Sequence, residues 1–239
     1  MSKKAQITVD WSAVRLVVFD VDGTLYDQAK LRIRMIASLL GNCLRHPSEY
    51  KLIRVISTYR HCREQLGEEE SADVARLQYE HPAAVLGLSA ETVQRMVDPW
   101  IHRRPLPFLP QCRFPDVVRF ISWLRQRGTT IAVLSDYPAG DKLEALGIRA
   151  DIVVSAIDSE VDRLKPHPAG LEQILRVGQV EPTQALMIGD RDDRDGECAR
   201  RLGVPYLLKM RKAAPDGHTF ARYCDLIDSR STQTGVLVQ

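Results

Sequence analysis

Short apolar runs separated by longer stretches of mixed polarity set the plan of the chain. Residues 14–19 (Val14, Leu16, Val17, Val18 and Phe19 around one arginine) are rich in β-branched and aromatic side chains, the pattern of a strand covered on both faces. Comparable runs recur at 130–134, 151–154, 185–188 and 204–208. Between them apolar positions fall at helical spacing over 117–127, 141–146, 169–177 and 197–202, with Gly128, Gly147 and Gly203 as stops. Strands alternating with helices predict an α/β fold, a doubly wound parallel sheet with right-handed crossovers.

One interval breaks the alternation. Leu31, Ile33, Met35, Ile36, Leu39 and Leu40 predict a helix that stops near Gly41 and Asn42. A second is expected from about Pro47 to Gly67, with Leu52, Ile53, Ile56 and Tyr59 on one face, and the acidic run 68–70 then reads as a solvated turn or helix start. Further helices are expected over 72–79 and 89–100, the last capped by Ser89. Pro105, Pro107, Pro110 and Pro115 predict an irregular linker returning to the sheet. The chain thus divides into a core, 1–25 with 111–239, and an inserted helical module, 26–110. The segment before Val14 reads as a loose lead-in whose Ile7, Val9 and Trp11 suit pairing with a sheet edge. The tail from Lys212 is polar, with one apolar patch at Leu226 and Ile227.

The first strand delivers Asp20 and Asp22 at its carboxyl end, followed at once by Gly23. Ligands of open α/β sheets bind outside that end, so two acids and a glycine turn there mark a candidate site. The stretch from Asp20 to Gly23 also suits a plain polar turn. Ser135 and Asp136 follow the next strand, Lys165 precedes Pro166 in a later loop, and Asp190 and Asp195 follow the strand at 185–188. Each has an ordinary reading beside the chemical one, as turn residue, exposed loop lysine or solvated helix start.

In order, Asp20-Val21-Asp22-Gly23-Thr24-Leu25, Leu134-Ser135-Asp136, Leu164-Lys165-Pro166-His167-Pro168, and Ile188-Gly189-Asp190 followed by Asp195 resemble the four motifs of the haloacid dehalogenase superfamily. The likeness is to its phosphatase branch, phosphoglycolate phosphatase-like, with a helical cap inserted after the first motif. It implies a Rossmann-like core and a cap at 26–110 closing over the site. Asp20 is then the nucleophile, Asp22 the general acid and base, and Lys165 the cation that neutralises phosphate and nucleophile. Ser135, Asp136 and Lys165 become the phosphate contacts. Mg²⁺ is implied at Asp20, the backbone carbonyl of Asp22 and Asp190, with Asp195 acting through water or from behind the ligands. Several carboxylates sharing one cleft independently call for a cation, and an all-oxygen site suits a hard one.

The implied reaction is hydrolysis of a small-molecule phosphomonoester through an aspartyl phosphate. A 2-haloacid dehalogenase needs neither Asp22 nor Asp190. A phosphosugar mutase on the same core, and a non-enzymatic binding or scaffold protein, stay open as alternatives. The chain departs from the commoner wording at Asp136, where asparagine is frequent, and in its highly charged fourth motif with Asp192 and Asp193.

Charge and composition narrow the partners. Lys and Arg total 33 against 31 Asp and Glu, a net charge of +2 that gives no general attraction to nucleic acid or a membrane. No apolar run approaches the roughly 20 residues of a membrane span, and the first residues lead into no signal-peptide core. A cytoplasmic protein acting on a soluble phosphorylated metabolite is expected, as monomer or homodimer. Cys43, Cys62, Cys112, Cys198 and Cys224 are scattered and odd in number, which suits reduced thiols better than a disulfide framework or a zinc site. Tyr26, Arg32, Arg34, Arg60 and His61 are the cap's basic and aromatic candidates for substrate contact, most of them expected to face solvent.

Overall fold

Six parallel strands in the order β3-β2-β1-β4-β5-β6 form the sheet. The computed structural model describes residues 9–46, 50–214 and 217–228. The strands are β1 (Leu16–Phe19), β2 (Thr130–Ser135), β3 (Ile152–Ser155), β4 (Ala185–Gly189), β5 (Tyr206–Lys209) and β6 (Thr219–Phe220). β1 pairs with β2 on one side and β4 on the other, so the strand order reverses at β1 and opens a crevice at its carboxyl end.

Alternate side chains bury both faces, as the continuous apolar runs require. Val17, Phe19, Ile131, Val133 and Ile188 pack with α6 (Val117–Gln126), α7 (Gly140–Leu146) and α10 (Tyr223–Asp228). Leu16, Val18, Ala132, Leu134 and Met187 pack with α8 (Ala169–Gly178) and α9 (Glu197–Leu202). The predicted α/β class is the observed one.

The insert consists of α1 (Gln28–Arg45), α2 (Lys51–Glu68), α3 (Val74–Leu86) and α4 (Ala90–Asp98), which runs on as a π-helical turn over Pro99–Arg103. Leu52, Ile56, Tyr59, Val93, Val97 and Trp100 give it an apolar cluster of its own. Ser89 caps α4 as expected, accepting from the Thr92 N–H at 3.2 Å. Helix α1 does not stop at Gly41: an interior glycine costs only about 1 kcal/mol, and the helix continues to Arg45, whose guanidinium reaches the Gly41 carbonyl. Ile33, Ile36 and Leu40 of that helix are exposed, so its periodicity overstated its burial.

The proline-rich return is also more ordered than expected. Pro107 and Pro110 sit in the first turns of a 3₁₀ turn (Leu106–Phe108) and of α5 (Leu109–Cys112), where a missing N–H leaves no bond unmade. Trp11 packs edge-on against Phe120 and Trp123 rather than pairing with a sheet edge. The tail supplies β6 and α10, elements too short to show a period. Ile7 and the helix start expected at Pro47 lie outside the described residues. All five cysteines are unpaired. Among the described residues no helix is long and apolar enough to cross a membrane.

Candidate active site

Phe19 lies opposite Ile188, so Asp20 and Asp190 emerge from adjacent strands, one residue out of step, at the same edge of the sheet. Two glycines make room for the acids that gather there. Gly23 has φ +101°, and a Cβ on it would stand 2.1 Å from Asp190 Oδ2. A Cβ on Gly189 would stand 2.3 Å from the Asp195 carboxylate. The turn after β1 is held from behind, where the buried Tyr223 hydroxyl donates to the Thr24 carbonyl at 2.9 Å.

Asp20, Asp190 and Asp195 offer carboxylate oxygens within 4.8 Å of one another. Lys165 enters this group from the loop after β3, its Nζ donating at 2.6 Å to Asp20 Oδ1 and at 2.6 Å to Asp195 Oδ1. The second oxygen of Asp195 accepts the backbone N–H groups of Asp190 and Arg191, both at 3.1 Å. Asp195 is 1 % exposed and spends both oxygens on protein donors; both it and Asp190 border the cavity described below. Thr24 Oγ1 donates to Asp20 Oδ2 at 3.0 Å.

Burial pushes the Asp20 carboxyl well above the usual carboxylate range; Lys165 opposes the rise, while Asp195 and Asp190 add to it. Burial, then Asp195, lifts Asp190 to about 7. The Lys165 ammonium loses hydration by burial, yet the Asp195 and Asp20 carboxylates outweigh that loss and hold it above the ordinary lysine range. The cluster has more negative charge than one ammonium offsets.

Asp22 stands apart from this trio. Its carboxylate receives Lys142 Nζ at 2.7 Å on each oxygen and the Tyr26 hydroxyl on one. Burial opposes the ionised form, but Lys142 and the Tyr26 hydrogen bond outweigh it and bring the Asp22 carboxyl below its ordinary value. Ser135 is buried at the tip of β2, its Oγ accepting from the Tyr137 N–H at 3.2 Å, a contact that uses a lone pair and leaves the hydroxyl proton to donate. Asp136 Oδ1 accepts from the Lys165 N–H at 3.1 Å, tying the β2 loop to the lysine loop. Asp192 and Asp193 turn away, paired with Arg200 at 2.8 Å and Arg191 at 2.7 Å. The His167 ring accepts the Ala169 N–H through Nδ1, at 3.2 Å.

A cavity of about 450 Å³ opens over these groups, and Asp20, Asp22, Asp136, Lys165 and Asp190 line it together with residues of α1 and α2. The insert is latched onto the site by two buried arginines. Arg63 of α2 donates to the Asp136 carbonyl and to Gln78, and stacks 4.1 Å from the Tyr137 ring. Arg194 donates to the Lys165 carbonyl at 2.6 Å and to the Glu64 carboxylate of α2 at 2.7 Å.

Four separated stretches therefore converge on one strand-end crevice, and the comparison with known proteins agrees with that convergence. Residues 14–203 match the family model of haloacid dehalogenase-like hydrolases. The chain belongs to that family. A glyceraldehyde 3-phosphate phosphatase of Methanopyrus kandleri is 27 % identical over 201 residues, covering 80 % of this chain and 82 % of its own. A phosphoglycolate phosphatase of Aquifex aeolicus is 25 % identical over 236 residues, covering 90 % and 95 %. The magnesium-bound HAD-hydrolase YfnB of Bacillus subtilis superposes with a TM-score of 0.62 at 15 % identity, covering 90 % and 96 %. Haloacid dehalogenases superpose as well, so the shared fold does not by itself choose between carbon and phosphorus chemistry.

Within this haloacid dehalogenase-like fold the motif positions alone do not reveal Lys142, Arg63 or Arg194, and Tyr26, named from the sequence only as a candidate substrate contact, instead bonds Asp22. Lys142 follows an acid at a helix start and reads as a solvated residue; its one signal is its nearness to the Ser135 loop. Tyr26 closes the first turn and is 2 % exposed. Arg194 hides in the charged run 191–195, and Arg63 in a helix rich in basic residues.

Proposed function

We propose that the protein is a Mg²⁺-dependent phosphomonoesterase that works through an aspartyl phosphate. The observation that carries the reading is the trio of Asp20, Asp190 and Asp195, whose oxygens lie within 4.8 Å of one another beside the Lys165 ammonium. Three carboxylates share one crevice with a single ammonium, and burial pushes Asp20 and Asp190 up, so the residues fit a hard cation. Asp20, Asp190 and the Asp22 backbone carbonyl would hold it, and Asp195, with both oxygens already bonded, orients Lys165 and the Asp190 backbone. Bound there, Mg²⁺ supplies charge neutralisation for the phosphate and its attacker.

Asp20 attacks phosphorus, and the departing alkoxide takes a proton from Asp22. Water then attacks the phospho-aspartate, losing its proton to Asp22. Lys165 stays against Asp20 throughout, lowering the repulsion between two anions. Ser135 and the backbone of Asp136 receive phosphate oxygens. The helical insert, 26–110, acts as the cap over a core made of 1–25 and 111–239, and Arg63 and Arg194 tie its position to the loops below. Relatives named as phosphatases of small phosphorylated metabolites support this reading.

A dehalogenase would have no use for Asp22, which here is held by a dedicated lysine. The test is release of inorganic phosphate from a panel of phosphomonoesters with and without Mg²⁺. Release is expected to require the metal and to fall by about 10³-fold or more in Asp20→Asn. Isomer formation without phosphate release would point to a mutase instead.

A further inference from the structure

The cavity pairs a charged floor with an insert wall that is apolar over much of its extent. Leu31, Met35 and Leu39 of α1, with Ile56, Trp100 and Ile101, line the part bounded by the insert. The apolar lining reaches the reacting end as well, because Leu164 directly precedes Lys165 and Tyr137 directly follows Asp136, and both line the same space. Of the insert's charged lining residues, Arg32 and Arg60 are exposed, Arg63 is held by the Asp136 carbonyl and Gln78, and Glu64 is paired with Arg191 and Arg194, so the buried one and the acid are already spent on protein partners. A phosphate joined to a two- or three-carbon polar alcohol leaves most of about 450 Å³ empty, since pockets of roughly 300–1,000 Å³ hold drug-sized molecules.

We propose that the leaving alcohol of the substrate is apolar, an aromatic or aliphatic group of ring size or larger, seated between α1 and the Trp100–Ile101 turn. The proposal rests on the phosphomonoesterase reading and adds the class of substrate. Sugar hydroxyls placed against Leu39, Ile56 and Trp100 would lose water and find no partner, a penalty that an alkyl or aryl group escapes. Each methylene taken from water into such a wall is worth about a fourfold gain in binding. The competing use of the same surface is self-packing. Helix α1 buries only Leu31 fully, and its closure onto α2 would fill the space without a ligand.

Two series separate these. The first is kcat/KM for monoalkyl phosphates from ethyl to octyl at saturating Mg²⁺, in which the leaving alcohols differ little in acidity. The expected result is a rise of about threefold or more per methylene through hexyl, with hexyl phosphate ahead of a two-carbon carboxylate-bearing phosphate. The second is binding of the matching alkyl phosphonates, which cannot be hydrolysed, read by tryptophan fluorescence; tightening with chain length is expected there too. Ile36→Ser, at a cavity-lining position 57 % exposed and so harmless to folding, should flatten both slopes. Phosphonate affinity independent of chain length, or the two-carbon acid phosphate as the better substrate, overturns the proposal. Phosphate release from none of the esters, with phosphonates still tightening, overturns the phosphomonoesterase reading and leaves the apolar site standing.

Discussion

Lys142 Nζ lies 2.7 Å from both carboxylate oxygens of Asp22, a residue 120 positions earlier in the chain. The lysine side chain is 6 % exposed and the aspartate 19 %, so water screens the pair only in part. In the proposed reaction Asp22 gives and then retakes a proton, and Lys142 biases it toward its ionised form, the form that accepts a proton from water. Lys142→Met removes that bias. The acid limb of kcat should move up by about one pH unit or more, with Lys142→Arg restoring much of it. Because Asp22 is depressed in the folded protein, its share of stability is present above the unfolded carboxylate value and is lost as pH falls through the folded one. At pH 7 the methionine variant should therefore lose about 3 kcal/mol in urea unfolding, the low end for a buried pair because Asp22 still meets water.

Asp190 runs the other way. Its carboxyl is raised to about 7 by burial and by Asp195, so between about pH 4 and 7 the folded protein holds a proton that the unfolded chain has released. Stability of the metal-free protein should fall as pH rises through that window. If Mg²⁺ binds at Asp190 as proposed, it competes with the same proton, so its stabilising effect should be small at pH 5 and grow toward pH 8. Melting temperatures in chelator and in Mg²⁺ across this range check both halves. Curves that stay parallel would show that the ion binds elsewhere.

Gly67 tests the latch between insert and core. It lies inside α2, where alanine normally gains about 1 kcal/mol of helix propensity. A Cβ there would stand 1.9 Å from Arg194 Nη1, which is held by the Lys165 carbonyl at 2.6 Å. Arg194 can step aside only by giving up charge-assisted bonds worth about 1.5–3 kcal/mol each, and the penalty wins. Gly67→Ala should be destabilising by about 1–2 kcal/mol, with kcat reduced because Lys165 loses its backstop. Arg194→Met with Gly67→Ala should recover part of the stability and none of the activity.

These groups also mark the limit of what the amino-acid order discloses. Asp20, Asp190, Asp195 and Lys165 were legible because strand ends of a doubly wound sheet face one crevice, and acids placed there in order need no further information to converge. Strands β1 to β5 were equally plain, since burial writes a nearly unbroken apolar run, whereas the two-residue β6 left no such mark. Lys142, Arg63 and Arg194 were not legible. Each is a cation whose partner, a carboxylate or a backbone carbonyl, lies far off in the chain, and a solvated surface residue looks the same in one dimension. The over-read burial of Ile33, Ile36 and Leu40 has a similar cause: periodicity reports an apolar stripe, and only packing reports what covers it.

The proposed reaction depends on Asp20 accepting a phosphoryl group. Acid-quenching the enzyme during turnover and reducing it with borohydride converts an aspartyl phosphate to homoserine, which peptide mass mapping locates. Homoserine at position 20, absent without Mg²⁺ and absent from Asp20→Asn, is the predicted result. Homoserine at position 22 or 190, or full turnover by Asp20→Asn, would contradict it.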